Sequence, residues 1–124
     1  NDAYGHPAGD SCLQMIAFTI RQTLKGSCDF VARYGGEEFA VILPATNLEV
    51  TTTVAEKIRN RIQSLSIPHQ KTTLSNGVIT ISLGTAAMKP REVGPTEWKQ
   101  LIHAADQALY IAKKRGRNSV QQAQ

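Results

Sequence analysis

Two glutamates, Glu37 and Glu38, directly follow two glycines, Gly35 and Gly36. Glycine leaves the backbone bare, and a carboxylate beside bare backbone can bring a hard cation and a phosphate to one spot. The same four residues would equally suit a charged hairpin tip facing solvent, so their surroundings must decide. Lys113 and Arg117 are spaced by four, which places two cations on one side of a helix end; alone, they read as ordinary C-terminal helix charge. Cys12 and Cys28 form no CxxC pair and have no histidine at ligand spacing, so neither a disulfide framework nor a zinc site is indicated. His69 and His103 have no neighbours that suggest chemistry.

These residues need elements to position them. Leu13, Ile16, Ala17, Ile20 and Leu24 recur at three-and-four spacing, predicting a helix over Ala8 to Leu24, with Pro7 just before it where a missing N–H costs nothing. Asp29 to Tyr34 and Phe39 to Leu43 read as strands, with Gly35 and Gly36 as a two-residue hairpin turn. A second helix is expected from about Leu48 to Leu65, carried by Val54, Ile58, Ile62 and Leu65. Asn76-Gly77 signals a second hairpin, with Ile79, Ile81 and Leu83 alternating behind it. A third helix runs from about Thr96, its N-cap, to Arg115, with Leu101, Ala105, Ala108 and Ala112 inside and Gly116 as C-cap. Helices interleaved with hairpins predict an α/β fold with a mixed or antiparallel sheet and helices packed on it.

With 124 residues the chain is one domain. Its 41% apolar and 19% charged residues are those of a globular protein, and no apolar run approaches a membrane span. A net charge of +4 suits an anionic partner, and the phosphates of a small ligand satisfy it as well as nucleic acid does. Nucleic acid is disfavoured, because seven aromatic residues without aromatic-basic interleaving give no recognisable binding motif. Two cysteines point to a reducing cytoplasm as the default location.

Three separated stretches supply the missing context. Asn1-Asp2-x-Tyr4-Gly5-His6-x-x-Gly9-Asp10, then Ala32-Arg33-Tyr34-Gly35-Gly36-Glu37-Glu38-Phe39, then Ala105-Asp106-x-Ala108-Leu109-Tyr110-x-Ala112-Lys113-x-x-Gly116-Arg117-Asn118 together resemble the GGDEF family of bacterial diguanylate cyclases, in a GGEEF variant. The resemblance covers the whole chain. It implies a palm-like, ferredoxin-like or nucleotidyl-cyclase-type α+β fold, and an enzyme that joins two GTP molecules into cyclic di-GMP with release of two pyrophosphates. By resemblance, Glu37 is the metal ligand (Mg2+ or Mn2+) and general base, with Glu38 in the same electrostatic site. Gly35 and Gly36 let the backbone approach the triphosphate, and Lys113 and Arg117 contact phosphate. Asn1 and Asp10 match the guanine-reading positions, an amide and a carboxylate able to pair with the base edge. His6 is either a substrate contact or a hydrogen-bonded loop histidine. Asp106 is expected to serve the fold, and Leu109 and Tyr110 to pack.

The resemblance also implies features to test. The family's first metal aspartate and its phosphate-binding Phe-Lys precede the position of Asn1, so this stretch reads as a domain incomplete at its N-terminus, lacking its first strand and expected to be inactive alone. A homodimer is expected for catalysis, together with an upstream sensory domain in a parent that is itself cytoplasmic or membrane-anchored, with no membrane contact by this domain. Many members carry an inhibitory Arg-x-x-Asp site for the product; here Asp29 is in place and Gly26 stands at the arginine position. The alternative function is a non-catalytic module that binds GTP or cyclic di-GMP.

Overall fold

The computed structural model describes residues 5–26, 29–33, 38–68, 78–88 and 97–123, without the side chains of 5–10, 97 and 98. The elements in order are α1 (Gly5–Thr23), β1 (Phe30–Arg33), β2 (Phe39–Ile42), α2 (Leu48–Ser64), β3 (Leu83–Thr85), α3 (Glu97–Lys114) and β4 (Val120–Gln122).

The core lies between helices and strands. Ile16 and Ile20 of α1 meet Ile58 and Ile62 of α2, and Val31, Phe39, Val41, Ile81 and Leu83 pack against that cluster. Burying each isoleucine contributes about 1.5–3 kcal/mol. The helix expected from Ala8 starts earlier, at Gly5, which puts Pro7 inside the first turn; a proline is tolerated there because the first N–H groups of a helix have no intrahelical acceptor. Asn47 caps α2, its side chain accepting the Val50 N–H at 2.8 Å. Leu65, expected on the buried stripe, is instead the exposed C-cap of α2, because the helix stops at Ser64 and the chain turns at Ser66 with φ 53°. Ala55 is buried on that face.

β1 and β2 form the expected antiparallel hairpin with a corrected register. Arg33 pairs with Phe39, leaving five residues, 34–38, between the strands. A two-residue turn at Gly35 and Gly36 would set Arg33 opposite Glu38, one position out, and a slip of one residue turns a strand's side chains to the opposite face. The observed register keeps Val31, Phe39 and Val41 on the core.

Of the second hairpin, the described residues show one antiparallel bridge, Pro68 with Val78, and an Ile79 N–H that donates to the Ile67 carbonyl at 2.6 Å. Its Asn76-Gly77 turn and the Thr96 cap lie outside the described residues. β3 instead pairs in parallel with β4, in register Leu83↔Val120 to Thr85↔Gln122. Parallel strands require a long crossover, and α3 supplies it. Ala108 and Ala112 of α3 are buried, and Gly84 of β3 fits so closely beneath the helix that a Cβ there would collide with the Ala105 carbonyl oxygen and the Leu109 nitrogen. The described strands thus form two two-stranded sheets, one antiparallel and one parallel, both packed on helices.

Candidate functional site

The described residues among those singled out from sequence for catalysis or substrate binding lie at the start of β2, on α1 and at the end of α3. Glu38 is exposed immediately before β2, while Asn1, Gly35, Gly36 and Glu37 lie outside the described residues. His6 and Asp10 sit on the first turns of α1, where only the backbone is described. Helical spacing of three and four puts His6 and Asp10 in one row with Leu13, Ala17 and Arg21. Those three line an open depression of about 160 Å³ between α1 and the hairpin arms, completed by Val31, Arg33 and Phe39. Sequence reasoning missed this lining. Its available signal was the row running on from His6 and Asp10.

The end of α3 is built differently from the expectation. The Arg117 N–H donates to the Ala112 carbonyl at 3.0 Å, a bond spanning five residues around Gly116, whose φ of 118° glycine tolerates; this is a Schellman termination. Arg117 is therefore beyond the helix, with φ 63°, and does not share a helical face with Lys113. The turn nonetheless brings the two together, because the Arg117 Nη1 reaches back to the Lys113 carbonyl at 3.5 Å. Two neighbouring cations are engaged elsewhere: the Lys114 Nζ lies 5.3 Å from the centre of the Tyr110 ring, and Arg115 Nη1 donates to Gln121 Oε1 at 3.3 Å. Lys113 and Arg117 are both exposed. Both present their cations to solvent, and a planar fork such as that of Arg117 can hold a phosphate group.

Tyr110 does not pack as expected. It is among the exposed large side chains, standing on the outside of α3 with Lys114 above its ring, while Leu109 is half-buried. Asp106 and His103 are exposed on the same helix, and His69 lies outside the described residues. Asp29 accepts the Gly26 N–H at 2.9 Å. Among the described residues, no group of three His, Cys, Asp or Glu side chains is placed to hold a metal ion. The donors offered by the hairpin loop are carboxylate oxygens, which suit a hard divalent cation that also takes oxygens from phosphates. No helix among the described residues is long and apolar enough to cross a membrane.

Comparison with known proteins identifies the family of the chain. The family profile described as diguanylate cyclase, GGDEF domain, matches residues 1–119. The chain is 42% identical over 123 residues to the diguanylate cyclase DgcP of Pseudomonas aeruginosa, covering 99% of this chain and 17% of that protein. It is 36% identical over 124 residues to the diguanylate cyclase DosC of Escherichia coli, covering 98% and 25% respectively. The chain thus spans a quarter or less of the length of these relatives. Among solved structures, the GGDEF domain of DgcB from Caulobacter crescentus in complex with c-di-GMP superposes with a TM-score of 0.77 at 35% identity, over 100% of this chain and 68% of that one. The active GGEEF domain of a diguanylate cyclase from Vibrio cholerae gives 0.75 at 28% identity, over 100% and 74%. These neighbours have the palm-like fold expected from the sequence. With its glycine-glutamate loop between two strands and its basic turn after α3, the chain belongs to the GGDEF-domain family of diguanylate cyclases.

Proposed function

We propose that residues 1–124 belong to the diguanylate cyclase domain of a longer protein, and that this parent condenses two GTP molecules into cyclic di-GMP for bacterial second-messenger signalling. The observation that carries this reading is the match over residues 1–119, with Gly35-Gly36-Glu37-Glu38 falling in sequence between two paired strands that pack on the core. In each half-reaction a ribose 3′-oxygen attacks the α-phosphorus of the other GTP, a new P–O ester bond forms, the bond to the β-phosphate oxygen breaks and pyrophosphate leaves.

In this assignment Glu37 takes the proton from the attacking hydroxyl, and Glu38 adds negative charge that favours a cation beside the triphosphate. Gly35 and Gly36 allow close backbone approach to the phosphates. Lys113 and Arg117 bind phosphate oxygens. We assign Asn1 and Asp10 to the guanine edge and His6 to a further contact with the substrate. The family works with a divalent cation; we assign Mg2+ or Mn2+ to Glu37. When bound, the cation lowers the pKa of the 3′-hydroxyl and neutralises phosphate charge.

One site holding one GTP supplies one 3′-hydroxyl and one α-phosphate, so two phosphodiester bonds require two sites face to face. A homodimer meets that need. We assign to the parent an upstream sensory domain and a cytoplasmic catalytic domain; the greater length of the relatives leaves room for the former. Anion-exchange analysis of products after incubating the full-length protein with GTP and Mg2+ tests the assignment: cyclic di-GMP with two pyrophosphates per molecule supports it, and bound but unreacted GTP supports a binding module instead.

A further inference from the structure

We propose that Arg59 of α2 is a positioning residue for Arg117, acting through the side chain of Asn118. The inference rests on the reading of Lys113 and Arg117 as phosphate contacts. Gly116, Arg117 and Asn118 have φ values of 118°, 63° and 46°, three successive residues in the positive region. Arg117 and Asn118 are not glycines, and such a conformation persists only where surrounding contacts over-determine it.

Three contacts do so. The first is the Arg117 N–H bond to Ala112 that ends α3. The second is the Asn118 N–H, which donates to Ser82 Oγ at 3.1 Å and ties the turn to the segment before β3. The third comes from α2. Arg59 Nη1 donates to Asn118 Oδ1 at 3.1 Å, and the Asn118 amide donates to Gln63 Oε1 at 3.4 Å.

Arg59 is suited to hold another group in place. Its side chain is only 17% exposed. Nε donates to Glu56 Oε1 at 2.6 Å and Nη2 to Asn60 Oδ1 at 3.0 Å, so the planar fork is fixed before it reaches Asn118. The pair with Glu56 alone would be worth little, since that carboxylate is half-exposed. Its consequence is orientation: one guanidinium nitrogen points at the turn that presents Arg117. Residues 59 and 118 are far apart in sequence, so this link fixes the basic turn relative to α2 and the core.

Steady-state kinetics with GTP on the full-length protein test this. Asn118→Gly removes the amide while keeping a residue that adopts positive φ freely. Arg59→Lys keeps the charge beside Glu56 but loses the fork. Each is expected to raise KM for GTP about tenfold, with a much smaller change in kcat, in a protein that still melts cooperatively. Arg117→Ala is expected to raise KM as well, and the double variant Asn118→Gly with Arg117→Ala should be no worse than Arg117→Ala alone. An unchanged KM in the two single variants, or effects that multiply in the double variant, would overturn the positioning role. An Arg117→Ala enzyme with unaltered kinetics would instead remove the phosphate-contact reading and the inference with it.

Discussion

The carboxylate of Asp29 accepts the backbone N–H of Gly26 at 2.9 Å, and a Cβ built on Gly26 would stand 2.6 Å from its other oxygen. Asp29 N–H donates in turn to the Gly26 carbonyl at 3.1 Å, closing a local turn. The residue that resembles half of an inhibitory product site is thus committed to backbone three positions away. Its expected arginine partner is the glycine that the turn accommodates.

Product inhibition through this site should therefore be weak or absent. An arginine fork would contribute on the order of 1.5–3 kcal/mol, roughly ten- to a hundredfold in affinity, and Lys25 is a point charge one position away. Titrating cyclic di-GMP against the initial rate of the full-length enzyme checks this. Tight inhibition relieved by Asp29→Ala would show that the site works without its arginine.

Ile62 is fully buried where α1 and α2 meet. Ile62→Ala should destabilise the domain by about 2–5 kcal/mol through lost burial and a residual cavity. Urea denaturation of this chain measures the shift in midpoint. A change below about 1 kcal/mol would place Ile62 outside the cooperative core.

Gly84→Ala should cost at least about 1–3 kcal/mol, because the obstructing atoms belong to the backbone of α3 and cannot rotate away. The expected thermal signature is a lowered midpoint with separation of α3 from β3. An unchanged midpoint would mean that the helix and strand are not in such close contact.

The helices were legible in the sequence because each of α1, α2 and α3 carries an apolar row at helical spacing, and their ends fell within a few residues of expectation. The hairpin was legible as an element and illegible in register, since Gly35-Gly36 signals a tight turn whether the loop holds two residues or five. The β3–β4 pairing was hidden for another reason: three-residue strands 35 positions apart leave no local signal for whether they run parallel. For the candidate site, motif spacing singled out Glu38, Lys113 and Arg117 among the described residues. It also led to a helical-face argument for Lys113 and Arg117 that the positive φ values at 116–118 replace with a turn. The Arg59–Asn118 link depends on tertiary packing and had no sequence signature.

Glu37 and Glu38 fall in sequence between β1 and β2, and in the proposed function Glu37 carries metal-dependent condensation of GTP. Glu37→Gln removes one negative charge at nearly constant volume. The decisive measurement is cyclic di-GMP formation from GTP by the full-length protein and its Glu37→Gln variant, with Mg2+ and with excess chelator, alongside thermal melts of both. Product is expected only from the unmodified protein with the cation present, and the melting temperatures are expected to be equal. Cyclic di-GMP made by Glu37→Gln at the unmodified rate, or made equally well in chelator, would contradict it.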